Sequence, residues 1–190
     1  MALPAESKQY TFADVLTWDE SDRIEIINGE AFMMAPPSRI HQEILTSLFG
    51  QLYDYLKGKT CKVYPAPFGV RLFEEDGDYP EDVDTMVQPD LTVVCDPGKL
   101  DDHGCKGAPD LIIEILSRST RRYDRMTKFE LYRRAGVREY WIVDPEEKYV
   151  QVFVLDGGRY FVKGYGTDED QMRVDVLEDC VIDLSAVFSE

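Results

Sequence analysis

The sequence lacks the features that would direct a protein into a membrane, out of the cell or around a cysteine-bound metal. No hydrophobic run reaches the roughly 18 residues that a bilayer-spanning helix needs. The first residues contain no apolar signal segment, so we expect a cytoplasmic protein. None of the four cysteines forms a CxxC pair, so we expect reduced thiols at Cys61, Cys95, Cys105 and Cys180.

Positive charge is also scarce. The chain has 190 residues, with 21 Lys and Arg against 37 Asp and Glu, and a formal net charge of −16. This acidity argues against a nucleic-acid-binding surface over the whole molecule, because phosphate contacts rely on Lys and Arg. Residues 118–138 are an exception, with eight basic residues against two acidic ones. This basic segment is either a local phosphate-binding site or a solvated helix face.

The spacing of apolar, turn and capping residues predicts a single domain over residues 1–190. Its class is α/β, with helices packed on a central mixed sheet. Asn28-Gly29 predicts a tight turn in an N-terminal hairpin, and residues 96–107 are predicted to form a polar loop. Helices are predicted at 11–18, 39–57, 120–135 and 184–188. Strands are predicted at 61–73, 88–94, 108–116, 139–143 and 172–177, beside the two strands of the N-terminal hairpin within 23–33 and a C-terminal hairpin formed by 149–155 and 159–163 across Asp156-Gly157-Gly158.

Two acidic residues lie on predicted core strands. Glu114 interrupts the apolar run Leu111–Leu116, where an unpaired carboxylate would be destabilising. Asp90 begins the neighbouring strand, and the two carboxylates can converge at one edge of the sheet if these strands pair. Carboxylates so close repel each other unless a cation lies between them, and their oxygens suit Mg²⁺ or Mn²⁺. The alternative is that Glu114 pairs with an arginine of the following helix and that Asp90 and Asp110 are turn residues after proline. For Asp110 we favour the turn.

Helical geometry directs two further polar residues towards the sheet. At about 100° per residue, Lys128 shares a helix face with Leu131 and Tyr132, and His41 falls within the apolar stripe of the 39–57 helix. Lys128 either stabilises charge or orients water in a site, or it is a snorkelling surface lysine. His41 is either a hydrogen-bonded core residue or part of the same site. Glu43 falls well off the stripe.

The segments around these residues resemble the PD-(D/E)xK nuclease superfamily. More narrowly, the chain resembles the family of small bacterial proteins described as putative restriction endonucleases. The resemblance covers roughly residues 10–188. It is carried by Gln88-Pro89-Asp90 and the hairpin 23–30, and by the segments 107–117 and 136–145, which read GAPDLIIEILS and GVREYWIVDP.

The resemblance implies a restriction-endonuclease-like fold with Asp90 and Glu114 as metal ligands and the backbone carbonyl of Ile115 as a further ligand. The superfamily pattern has a lysine where this chain has Leu116. The resemblance implies that this role has moved to Lys128 on the following helix. The superfamily often carries a helix glutamate as well, and Glu43 is the nominal match, although its predicted orientation disagrees.

These observations lead us to expect a Mg²⁺- or Mn²⁺-dependent endonuclease that hydrolyses DNA phosphodiester bonds. We assign Asp90, Glu114, Lys128 and His41 to the catalytic site, and no organic cofactor. The alternative is an inactive nucleic-acid-binding or protein-interaction module on a nuclease fold. The two predicted hairpins expose strand edges, and many proteins of this fold are dimers, so we also expect a homodimer.

Overall fold

The computed structural model describes residues 8–19, 23–117 and 124–189. The helices are α1 (Phe12–Val15), α2 (Arg39–Leu56), α3 (Phe129–Ala135) and α4 (Leu184–Val187), and a π-helical turn over Asp124–Lys128 leads into α3. The strands are β1 (Ile24–Ile27), β2 (Glu30–Met33), β3 (Lys62–Pro65), β4 (Val70–Arg71), β5 (Leu91–Val94), β6 (Leu100–Asp101), β7 (Gly104–Lys106), β8 (Leu111–Ile115), β9 (Glu139–Asp144), β10 (Tyr149–Asp156), β11 (Arg159–Thr167), β12 (Gln171–Arg173) and β13 (Val181–Asp183). None of the helices in these ranges is long and apolar enough to cross a bilayer.

A mixed sheet forms the centre of the fold, as the sequence predicts. Within the described residues it has six strands in the order β11-β10-β9-β8-β5-β3. β8 and β9 run parallel, and the other neighbours run antiparallel. The parallel pair needs a crossover connection, and α3 lies in the segment that provides it. The predicted start of this helix near Thr120, together with Arg118, Arg121 and Arg122, lies outside the described residues.

The two faces of the sheet are separated by strand alternation. On β8, Leu111, Ile113 and Ile115 belong to one core cluster with α2, which contributes Ile44, Leu45, Leu48, Leu52 and Leu56. Ile112 and Leu116 belong to the other cluster, together with Leu131 and Tyr132 of α3. Glu114 lies between Ile112 and Leu116 in the alternation and therefore points to the α3 side.

The predicted N-terminal hairpin is present and is fixed to the segment that precedes β5. Asn28 and Gly29 have φ angles of 49° and 79°, as a tight hairpin turn requires. Ile26 exchanges two backbone hydrogen bonds of 2.8 Å with Met86. This attachment places Glu25 of β1 beside the chain that leads to Asp90.

The predicted polar loop at 96–107 contains two short strands. β6 and β7 join β4 in a three-stranded sheet, in which β4 runs parallel to β7. Gly104 allows the close approach: it has a φ of 123°, and a Cβ there would collide with the carbonyl oxygen of Gly69. The partner strand β4 lies 35 residues earlier in the chain, since Val70 pairs with Cys105, so local pattern gives little indication of this pairing.

The prediction of reduced thiols is wrong for two of the four cysteines. Lys62 of β3 pairs with Val94 of β5, which places Cys61 and Cys95 opposite each other just beyond the paired residues, and they form a disulfide. Cys105 and Cys180 are free and buried. Burial raises the pKa of each of these two thiols to about 11, so both stay protonated at neutral pH.

Candidate active site

Asp90 lies where β5 begins, next to β8 in the sheet. The pairing of Leu91 with Ile113 brings Asp90 alongside the end of β8, and the backbone N–H of Ile115 donates to Asp90 Oδ2 at 2.8 Å. Asp90 and Glu114 are both buried, and both line one cleft. The structure thus brings together the two carboxylates that the sequence analysis assigns to metal binding.

His41 contacts the Asp90 carboxylate from the first turn of α2. Ser38 caps this helix by accepting a hydrogen bond from the His41 backbone N–H at 3.2 Å. His41 Nε2 lies 3.1 Å from Asp90 Oδ2, so an ionised Asp90 requires the proton on Nε2. Nδ1 is buried and has no hydrogen-bond partner among the described residues. His41 therefore orients Asp90 and, when neutral, keeps an acceptor at Nδ1.

Lys128 is buried between two glutamates. Its Nζ donates to Glu114 Oε1 at 2.9 Å and to Glu25 Oε1 at 3.0 Å, and the residue is only 1% exposed. A snorkelling lysine would hold its ammonium in water, so that alternative is wrong. Glu114 is paired with Lys128. Of the arginines in the alternative, Arg121 and Arg122 lie outside the described residues.

Tyr132 donates a second hydrogen bond to the same oxygen of Glu114. Its hydroxyl lies 2.5 Å from Glu114 Oε1. Burial, followed by the negative charges of Glu114 and Glu25, raises the pKa of Tyr132 well above its usual value. Tyr132 therefore keeps its proton and is a neutral donor to the carboxylate.

Glu25 connects the hairpin to the rest of the site, and the sequence analysis missed it. Its Oε1 accepts from Lys128 and also from the backbone N–H of Gln88 at 2.8 Å, two residues before Asp90. The available signal is the one that identifies Glu114, namely a carboxylate inside an apolar strand. Here it occurs in Ile24-Glu25-Ile26-Ile27.

A cleft of about 790 Å³ opens onto these groups. Its described lining includes Glu25, His41, Asp90, Glu114, Ile115, Leu116 and Lys128, together with Arg23, Glu146 and an apolar segment between β2 and α2. The carboxylate oxygens suit a hard divalent cation, and Mg²⁺ typically needs only one or two protein carboxylates beside waters and substrate phosphates. The described residues contain no cluster of three or more His, Cys, Asp or Glu side chains that could hold a metal. The carboxylates of Asp90 and Glu114 are of the type and number that Mg²⁺ accepts from a protein.

Comparison with known proteins agrees with this geometry. The model of the Uma2 family, described as "Putative restriction endonuclease", matches residues 12–185. The chain belongs to the Uma2 family. The family resemblance inferred from the sequence is therefore confirmed.

Two individual proteins are similar to this member of the Uma2 family. An uncharacterised protein of Synechocystis sp. is 28% identical over 121 residues, which is 63% of this chain and 60% of that protein. A crystal structure of an Anabaena variabilis protein, described as a putative nuclease belonging to DUF820, superimposes with a TM-score of 0.73 at 17% identity. That superposition covers 95% of this chain and 98% of the other, and it supports the restriction-endonuclease-like fold.

The remaining residues discussed from the sequence lie as follows. Glu43 is exposed and pairs with Arg39 at 2.5 Å, and it is not among the residues described at the cleft. Asp110 accepts hydrogen bonds from the backbone N–H of Cys95 at 2.7 Å and from Arg138 at 3.0 Å, in agreement with a turn residue. Leu116 lines the cleft beside Ile115, whose carbonyl stays a predicted ligand.

Proposed function

We propose that this Uma2-family protein is a Mg²⁺- or Mn²⁺-dependent endonuclease that hydrolyses DNA phosphodiester bonds. One observation supports it above the others. A buried lysine lies between two glutamates in the same cleft as a histidine-bound aspartate. Buried ionic clusters are expensive to maintain and are weak evidence for stability alone, so a cluster that also lines a cleft favours catalysis.

Asp90 and Glu114 would hold the metal, with the Ile115 carbonyl as the third predicted ligand. Such an ion would supply Lewis-acid stabilisation of phosphate charge. His41 orients Asp90 through its hydrogen bond to Oδ2, while the Ile115 N–H fixes the same oxygen. These two hydrogen bonds therefore hold the Asp90 carboxylate in one orientation.

Lys128 would stabilise negative charge that develops on the phosphate during hydrolysis. Its ammonium is fixed by Glu25 and Glu114 before any substrate arrives, so little reorganisation accompanies the reaction. Lys128 thus takes the part that Leu116, with its aliphatic side chain, is unable to take.

Metal binding tests the proposal directly. Calorimetric titration with Mn²⁺ is expected to give binding to the wild type, and none to folded Asp90→Ala or Glu114→Ala. Glu43→Ala is the matched control, because this carboxylate is exposed and is not among the residues described at the cleft. Equal Mn²⁺ binding by the wild type and both cleft variants would show that the site is misplaced. Salt-dependent DNA binding without cleavage would favour an inactive nucleic-acid-binding module.

Self-association is a separate proposal. β11 is an edge strand of the central sheet and exposes Phe161, Val162 and Tyr165, which favours a homodimer. Light scattering at micromolar concentrations is expected to give twice the chain mass of 21.9 kDa. A monomer mass would contradict the homodimer.

The cytoplasmic location stays a prediction from the sequence.

A further inference from the structure

The cleft has two chemically different sides. Its floor carries Asp90, Glu114, His41 and Lys128, whereas one wall is formed by the end of β2, the segment that follows it and the first turn of α2. This wall, which we call the apolar wall, consists of Phe32, Met33, Met34, Pro36, Pro37 and Ile40. Met33 is 84% exposed and Ile40 is 50% exposed.

The wall and the catalytic groups are parts of one surface. Ile40 directly precedes His41 in the first turn of α2, and His41 contacts Asp90. The wall and the floor line one cleft, so a molecule bound at the floor can also contact the wall. This continuity favours the substrate itself as the occupant of the wall.

The chemistry of the wall distinguishes between forms of DNA. None of the six side chains that form the wall is charged, so phosphate contacts fall to the rest of the cleft lining, which includes Arg23. An intact duplex presents phosphates and polar groove edges and keeps its base faces within the stack. An unpaired nucleotide exposes a flat base face, which stacks on aromatic side chains and packs against apolar ones. The cleft volume of about 790 Å³ is that of a small-ligand pocket.

We propose that the substrate is single-stranded DNA, with an unpaired base packed on the apolar wall while the adjacent phosphate reaches Asp90 and Glu114. This inference rests on the proposed nuclease function and narrows its substrate class. Met33 and Ile40 bind the base, and the floor carries out the chemistry.

The test compares three labelled substrates of one sequence in Mn²⁺: a single strand, a fully paired duplex, and a duplex with a short unpaired bulge. We expect the single strand and the bulge to be cut at least about 10-fold faster than the paired duplex. Met33→Ser and Ile40→Ser should raise KM for the single strand about 5-fold or more with a smaller change in kcat. Val181→Ser is the control, because Val181 is similarly exposed at 51% but lies on β13 and not among the residues described at the cleft.

The outcomes separate this inference from the proposed function. Equal cleavage of duplex and single strand, unchanged by the wall variants, would overturn the inference and leave the nuclease proposal standing. A wild type that neither binds Mn²⁺ nor cuts any substrate would overturn the nuclease proposal. If Mn²⁺ binds but no substrate is cut, DNA binding is measured instead, by fluorescence anisotropy in Ca²⁺. Tighter binding of the single strand than of the duplex, weakened by Met33→Ser, would support the inference. Equal binding of the two forms of DNA would overturn it. A change in oligomeric mass in Met33→Ser, with KM unchanged, would identify the wall as a contact between copies and would also overturn it.

Discussion

Glu114 and Glu139 are buried carboxylates on neighbouring strands, and they have opposite environments. Glu114 is 3% exposed on β8 and Glu139 is 0% exposed on β9. Glu114 is bound by the Lys128 ammonium and the Tyr132 hydroxyl, and it lines the cleft. Glu139 accepts hydrogen bonds from Trp141 Nε1 at 2.6 Å and from the backbone N–H of Val176 at 2.8 Å.

The difference shows what burial alone reveals about a carboxylate. Glu139 is held by neutral donors and ties β9 to the segment after β12, which is a structural function. Burial raises the pKa of Glu139 above its usual value despite these donors. Glu114 has a cation beside it and faces a cleft. A buried carboxylate on a strand therefore indicates a site only when a counter-charge and an opening accompany it.

Of the substitutions that test the difference between Glu114 and Glu139, Lys128→Met is expected to have the largest effect. It removes the cation beside Glu114 and keeps the aliphatic stem. Cleavage should fall by about 10²–10⁴-fold, the range for a positioned catalytic group. Stability should fall by about 3–5 kcal/mol in urea unfolding, because Glu25 and Glu114 lose their buried partner. Mn²⁺ affinity should be nearly retained, since Asp90, Glu114 and the Ile115 carbonyl, which would hold the metal, are unchanged.

Arg133→Met is the matched control for Lys128→Met. Arg133 pairs with Glu130 on the surface of the same helix, so its loss should at most weaken DNA binding. Wild-type cleavage by folded Lys128→Met would show that the site takes its cation from elsewhere.

Local sequence pattern predicts two members of the candidate site. Glu114 was found because a charge in an apolar strand needs a partner, and Lys128 because helical spacing directs it towards the sheet. Glu25 carries the same signal in β1, but its relevance depends on the hairpin docking at Met86, which no local pattern encodes. The α/β sheet and the Asn28-Gly29 hairpin were predicted for the same local reasons and are confirmed.

The parts that sequence reasoning missed depend on contacts between distant segments. The disulfide follows from the register of β3 and β5, and the small sheet follows from the pairing of β4 with β7. The π-helical turn before Phe129 was missed for a different reason, because a uniform rotation of 100° per residue does not anticipate it. Lys128 nevertheless contacts Glu114. It is the last residue of the π-helical turn, and α3 begins at the next residue.

A smaller effect is expected from Tyr132→Phe, which removes the neutral donor from Glu114 and leaves the cation. A hydrogen bond to a charged group is worth about 1.5–3 kcal/mol, and we expect a loss of stability in that range. Cleavage should fall by about 10-fold, because Glu114 is less firmly held. Urea unfolding and initial cleavage rates measure the two effects.

Tyr160→Phe is the comparison for Tyr132→Phe. Its hydroxyl donates to the Val137 carbonyl at 2.8 Å in the same aromatic cluster, so the lost bond is to a neutral acceptor. We expect Tyr160→Phe to lose about 0.5–1.5 kcal/mol of stability and to cleave DNA at an unchanged rate. Equal losses in the two variants would remove the distinction between the Glu114 environment and an ordinary buried hydroxyl.

The smallest effect concerns Glu139 and appears as a pH dependence. Because burial raises its pKa above the value of 4.5 expected in the unfolded chain, the folded protein holds this proton more tightly. The resulting stabilisation is fully present below the pKa of the unfolded chain and is lost as pH rises through the higher pKa of the folded protein. Glu139→Gln does not titrate. Its side chain has one acceptor oxygen instead of two, so one of the two hydrogen bonds is lost, but this loss is the same at every pH. The stability of wild type relative to Glu139→Gln, from urea unfolding at a series of pH values above 4.5, should therefore decrease as pH rises. A difference that is constant or increases with pH would show that the N–H donors outweigh burial, and Glu139 would then resemble a stabilised ionised carboxylate.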